Sequence, residues 1–136
     1  MNEDNNQTIP PIRFWQQNLN KSLIAQLDLL NQADPKSTDF IFIQEPHIDF
    51  LNLTRANHYW TVIYPSVHHN TPAKTRSVIL VNKSVSKNSW RQVPLECSDV
   101  TVVELTAGGH TVTFYNIYNS CENTDTLLLL QNHWTQ

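Results

Sequence analysis

Asp39-Phe40-Ile41-Phe42-Ile43-Gln44-Glu45-Pro46-His47 is the stretch on which the fold turns. Phe40 to Ile43 is an unbroken apolar run, too short for a helix and without alternation, as in a strand covered on both faces. Gln44 and Glu45 end the run, and Pro46 cannot donate to a sheet ladder, so the strand should stop with a carboxylate at its C-terminal tip. Ligands of α/β sheets sit at such tips, although a buried strand that runs into a solvated acidic loop looks the same.

Upstream, Ile12 to Gln17 reads as a first strand, with Ile12, Phe14 and Trp15 packing inward. Asn20 or Ser22 can cap a helix carrying Leu23, Leu27 and Leu30 on one face, and Asp34-Pro35 ends it. Strand, helix, strand describes a right-handed crossover between parallel strands, which brings both C-terminal tips to one edge and makes Asn18 and Glu45 neighbours. Residues 1–11 form a polar, acidic lead-in.

Downstream, residues 48–57 suit a short helix, residues 59–64 a strand, residues 77–82 an antiparallel strand and residues 88–93 a short edge strand. Val100 to Tyr118 is the plainest element, because Gly108-Gly109 supply the positive φ of a two-residue hairpin turn. Leu105 then faces Val112 and Val103 faces Phe114. Period two places Val112, Phe114, Asn116 and Tyr118 on one face and Val102, Tyr115 and Ile117 on the other, both of buried character. Residues 125–134 read as a helix with Leu127, Leu130 and Trp134 on one side, Thr124 or Asp125 as its cap, and no C-cap before the chain ends.

With 136 residues, one domain is expected; 15% are charged, only 2 are Gly, and the formal net charge is -3. Nothing reads as a signal peptide or membrane span, so a soluble intracellular chain, the nucleus included, is expected and a membrane partner is not. Cys97 and Cys121 make no metal-ligand pattern and read as reduced thiols, while adjacent His68-His69 lack the spacing zinc needs and read as a solvated loop. The acidic total argues against a nucleic-acid binder, yet no Asp or Glu lies between Phe50 and Leu95, where Arg55, Lys74, Arg76, Lys83, Lys87 and Arg91 all fall. Such a block can offer a positive surface to phosphates; it is also what an ordinary solvated face looks like.

Three strand ends now carry a resemblance. Gln17-Asn18-Leu19-Asn20, Gln44-Glu45-Pro46-His47 and Tyr115-Asn116-Ile117-Tyr118-Asn119 are similar, in that order, to the N-x-N, Q-E-P and N-x-Y motifs of the endonuclease/exonuclease/phosphatase family, in particular the apurinic-like endonuclease domain of non-LTR retrotransposons. The resemblance implies a four-layer α/β/β/α sandwich, of which residues 12–136 would be the N-terminal half: a mixed, largely antiparallel sheet with helices on one face. It implies Glu45 as ligand of Mg²⁺ (or Mn²⁺), Asn18 as an aid to the metal and the scissile phosphate, Tyr118 as a hydrogen-bond donor to that phosphate, Asn20 and His47 as supporting positions, and DNA as partner. The chemistry is compatible, since Mg²⁺ asks for only one or two carboxylates beside substrate phosphates.

The family's G-D-F-N strand end, its later Asp and its final Asp-His pair have no counterpart here. Weak or absent turnover is therefore expected, as is a partner over a sheet face left wet, that of Val102 and Ile117 or the opposite one. A non-catalytic nucleic-acid-binding remnant and an unrelated α/β interaction domain are the alternatives.

Overall fold

The computed structural model describes residues 11–119 and 125–134. Two sheets lie face to face between two helices. The first has the order β1-β2-β4-β3, from β1 (Phe14–Asn18), β2 (Phe40–Gln44), β3 (Trp60–Ile63) and β4 (Ser77–Asn82). The second has the order β5-β6-β7, from β5 (Trp90–Gln92), β6 (Val100–Ala107) and β7 (His110–Ile117). Helix α1 (Leu23–Gln32) covers the outside of the first sheet, and α2 (Asp125–Trp134) the outside of the second. The architecture is an α/β/β/α sandwich, mixed because β1 and β2 run parallel and every other pair antiparallel.

Each layer follows from local sequence. Ser22 caps α1 by accepting the Ala25 N–H at 3.1 Å, and Ala33 closes it just before Asp34-Pro35. Gly108 and Gly109 take φ of 60° and 78°, as the two-residue hairpin requires. The resulting register pairs Leu105 with Val112 and Val103 with Phe114, as the alternation predicts.

Alternation along β6 and β7 feeds two cores. Val103, Leu105 and Phe114 meet Phe40, Ile79 and Val81 between the sheets, while Val100, Val102, Tyr115 and Ile117 pack with Leu130 under α2. The expected wet face is therefore overturned at Val102: the hairpin is itself the facing sheet, and α2 covers its back. On the first sheet the helix-side core joins Leu29, Leu30 and Ala33 to Ile41, Ile43, Val78 and Leu80.

Three other expectations fail for identifiable reasons. Residues 48–57 form no helix; Asp49 makes a tight turn instead, closed by an Ile48–Thr54 bridge. The stripes of both helices are rotated from the leucine pattern. On α1 it is Gln26, Leu29 and Leu30 that are buried while Leu27 stays exposed, because a buried carboxamide occupies the central position. On α2 Thr126 and Leu130 are buried and Leu127 and Trp134 exposed. Finally, His68 is not a solvated loop residue: its ring is buried and stacks on Tyr64 at 4.1 Å between centroids. The lead-in up to residue 10, Cys121 and Thr124 lie outside the described residues; Cys97 is half-buried and free. No helix among the described residues is long and apolar enough to cross a membrane.

Arg13, just ahead of β1, holds Asp39, just ahead of β2, in an exposed ion pair at 3.0 Å. Desolvation alone would raise the Asp39 carboxyl, but the hydrogen bonds from the Arg13 side chain and N–H together outweigh it, so its pKa lies below the ordinary value. A lowered carboxyl favours the native state above the unfolded-state pKa, and that contribution is lost as pH falls through the native one. Urea midpoints measured at neutral pH and at about pH 3, close to the ordinary carboxylate range, are therefore expected to fall more for the parent than for Asp39→Asn.

Candidate functional site

Parallel pairing of β1 with β2 aligns Asn18 with Gln44, so the two strands end together. Beyond them the backbones stay joined: Leu19 N–H donates to the Gln44 carbonyl at 2.9 Å and Lys21 N–H to the Glu45 carbonyl at 2.8 Å. Antiparallel β4 starts at the same end, and Glu45 N–H donates to the Arg76 carbonyl at 2.8 Å. The last strand of the second sheet also finishes there, where Tyr118 N–H donates to the Asp99 carbonyl at 2.8 Å. Asn18, Glu45, Arg76 and Tyr118 are thus carried to one end of the sandwich by four different strands.

A layered interior sets the side chains facing this end. Phe14, Phe40, Phe42 and Phe114 form an aromatic cluster between the sheets, with Phe14 and Phe114 edge-on at 5.1 Å. Two residues further along each strand, period two brings Gln16, Gln44 and Asn116 to the same level. Gln16 Nε2 donates to Gln44 Oε1, and Gln44 Nε2 donates to Asn116 Oδ1. Asn116 Nδ2 donates to the carbonyls of Ile43 at 2.9 Å and Val78 at 2.8 Å. The Asn116 carbonyl accepts the Ser77 hydroxyl at 2.7 Å, and the Ser77 carbonyl accepts the Thr101 hydroxyl at 2.8 Å. Gln44, Asn116, Ser77 and Thr101 are buried and each has a partner, as burial demands, whereas Gln16 is exposed at the edge.

Past that layer the interior opens into a cleft of about 480 Å³ lined by Gln16, Asn18, Gln44, Asn116, Tyr118 and Asn119, among others. Asn18 Oδ1 accepts the Asn20 N–H at 2.9 Å, which leaves its amide nitrogen to the cleft as a donor. The Arg76 guanidinium lies over the Tyr118 ring, 5.5 Å from its centroid. Glu45 is half-buried and takes φ of 51°, while Asn20 and Lys21 take 50° and 62°. Such left-handed backbone costs about 1 kcal/mol or more at each non-glycine residue. The strand tips are held in shape against that cost by the backbone bonds described above.

The supporting residues divide. Asn20 belongs to the tip of β1, exposed. His47 contributes its main chain, its N–H donating to Gln26 Oε1 at 2.8 Å and its carbonyl accepting the Thr54 hydroxyl at 2.7 Å. Gln26 completes that knot by donating to Thr54 Oγ1 at 2.6 Å and to the Arg55 carbonyl at 2.7 Å, so α1 is lashed to the segment that follows Glu45.

The basic block does not form one surface. Lys74 and Arg76 stand at the site end of β4, whereas Lys83 and Lys87 follow its far end, on the order of 20 Å away for a strand of this length. Arg91 is paired with Glu104 at 2.8 Å on the second sheet. Sequence reading missed Gln16, Gln26, Gln44 and Asn116 as organising residues and Arg76 as the neighbour of Tyr118. The available signal was Asn116 on the inward face beside Phe114, since a polar side chain facing a core must be paired there.

Among the described residues no group of three or more His, Cys, Asp or Glu side chains could hold a metal ion. The donors at the tips, one carboxylate and neutral amides, fit a largely hydrated Mg²⁺ that takes its remaining ligands from a phosphate, and do not fit a closed all-protein site.

No family model and no curated protein matches the chain. One solved structure that matches is the endonuclease domain of TRAS1, a telomere-specific non-LTR retrotransposon, with a TM-score of 0.68 at 19% identity. The match covers 92% of this chain and 52% of that one, so the chain spans about half the length of the domain it resembles. The two share a fold.

Asn116→Ala is expected to lower unfolding stability by about 3 kcal/mol, because it strands the Gln44 amide and removes donors to two buried carbonyls. Gln26→Ala should cost a similar amount. Equilibrium denaturation in urea measures both, and a loss within 0.5 kcal/mol, roughly the range of surface substitutions, would contradict the bridging role.

Proposed function

We propose that residues 12–136 are the N-terminal half of a Mg²⁺-dependent, DNA-nicking endonuclease domain of retrotransposon type, acting as this chain chiefly in phosphodiester binding, with little or no turnover. The observation that carries the reading is the convergence of Asn18, Glu45, Arg76 and Tyr118 at one open end of the sandwich. The shared fold with the TRAS1 endonuclease domain adds to it, as do the three strand-end motifs. A DNA partner is consistent with a nuclear location.

Each residue has a task that its chemistry permits. Glu45 supplies the carboxylate for a hydrated divalent cation, with Asn18 beside it. When bound, such a cation polarises a phosphoryl oxygen and steadies the charge that develops there. The Asn18 amide and Tyr118 hydroxyl donate hydrogen bonds to phosphate oxygens without opposing their charge. Arg76, stacked on Tyr118, orients that ring and adds a positive charge for the same or the adjoining phosphate. Asn20 and the His47 main chain hold the two loops that frame the carboxylate. Among the described residues no group of three or more His, Cys, Asp or Glu could hold a metal ion, and the G-D-F-N, later Asp and Asp-His motifs have no counterpart in the sequence, which favours binding over hydrolysis.

Incubation of the full chain with supercoiled plasmid and Mg²⁺ is expected to give slow nicking at most, and none in Glu45→Gln; nicking that survives that substitution removes Glu45 from the role. Duplex binding should weaken steeply with salt. Arg76→Gln should weaken it for all sequences alike and reduce the log–log salt slope by about 1. Affinity indifferent to salt would exclude phosphate recognition.

A further inference from the structure

The turn after β2 leaves three apolar side chains in solvent: Phe50 is 92% exposed, Leu51 62% and Leu53 49%. Its backbone is firmly held. Asp49 Oδ1 accepts the N–H groups of Leu51 at 2.8 Å and Leu53 at 3.1 Å, and Asp49 N–H donates to the Leu53 carbonyl at 2.9 Å. Asn52 takes φ of 65°, and its carbonyl accepts a hydrogen bond from His68 Nε2 at 2.7 Å. Because that carbonyl can only accept, Nε2 carries a proton; in the neutral ring Nδ1 then accepts from the Thr75 hydroxyl 2.6 Å away. At the base, Thr54 N–H donates to the Tyr64 hydroxyl at 2.9 Å. An aromatic ring on a pliant loop would turn inward; here the main chain holds it out.

The position of the turn says what it could meet. Asp49 and Asn52 line a small pocket together with Lys21, His47, Ala73 and Thr75, and exposed Lys74 lies between the last two in sequence. Lys21 is tied by its N–H to the Glu45 carbonyl. Two cations, Lys21 and Lys74, therefore belong to segments that border the base of this turn, at the same end of the sandwich as Glu45 and Arg76. A patch of three side chains is small for a stable protein interface or for insertion into a lipid surface. An exposed aromatic ring on a turn whose base is bordered by cations matches a polyanion that carries flat apolar bases.

Resting on the phosphodiester-binding reading above, we infer that Phe50 and Leu51 form a wedge that stacks on or enters a base step of duplex DNA while Lys21 and Lys74 hold the adjacent phosphates. Phe50 supplies the stacking face and Leu51 the apolar shoulder.

The test uses the full chain and a duplex with 2-aminopurine at a central TA step, whose fluorescence rises on unstacking. The parent should raise the signal at least twofold at saturation. The double variant Phe50→Ala/Leu51→Ala should bind about tenfold more weakly, the size expected for loss of one stacked base, with an unchanged salt slope and no fluorescence rise. Phe50→Trp should restore both, and Arg76→Gln should lower the slope but keep the rise. Equal affinity and an equal rise in parent and double variant overturn the wedge and leave the strand-tip reading standing. No duplex binding by the parent overturns both. Binding of the parent to phosphatidylserine vesicles that the double variant loses, with duplex binding unaltered, overturns the wedge in favour of a membrane contact.

Discussion

The Asn116 carboxamide is the centre of a buried polar joint between the two sheets, to which Ser77 and Thr101 add their hydroxyls. Asn116 sits on β7, yet its Nδ2 reaches the main chain of β2 and β4, and its Oδ1 accepts from Gln44. Apolar burial between sheets is non-directional and so specifies their relative register weakly. A buried amide with fixed partners specifies it more strongly, since each lost bond leaves a polar group without water or protein to satisfy it. The sheet-to-sheet register, and with it the distance between the β1, β2 and β4 tips and the end of β7, is set here.

The position of this joint explains the character of the neighbouring cleft. Phe40, Phe42 and Phe114 back one side of the Gln16–Gln44–Asn116 layer, with Phe14, expected to pack inward, instead 48% exposed on edge strand β1, while on the other side the sandwich opens. Tyr118, two residues beyond Asn116, has its place along the sheet fixed by the residue that locks the sheets. Asn18 stands in the same relation to Gln16. Donors at the tips are therefore held by rigid strands and left-handed turns, not by loops that must order on contact, which reduces what a ligand loses in organising them.

Much of the fold was legible because its determinants are local. The Gly108-Gly109 turn dictated the hairpin and its register; the run Phe40 to Ile43 dictated a buried strand; the strand-helix-strand order dictated adjacent tips. The parts that escaped depend on contacts distant in sequence. Leu23, Leu27 and Leu30 look like a stripe until Gln26 is seen to bond with Thr54 and Arg55, nearly thirty residues on. Residues 48–57 have helix-compatible composition, but Asp49 competes successfully for the backbone donors of Leu51 and Leu53. The cations from Arg55 to Arg91 form a block only in one dimension, since β4 carries Arg76 and Lys83 to opposite ends. That Asn18, Glu45 and Tyr118 lie at one end of the sandwich could be read from strand ends, whereas the Arg76 contact with Tyr118 required the pairing of β2 with β4.

The acceptors that Asn116 uses on the first sheet are carbonyls of Ile43 and Val78, groups that every amino acid possesses. Replacing either side chain by another of similar bulk leaves the acceptor where it was. A lineage can therefore exchange the side chains of Ile43 and Val78 while Asn116 and its polar neighbours keep the halves of the sandwich in alignment. Such economy of specification is one physical reason why an architecture can outlast nearly all of the residues that first encoded it.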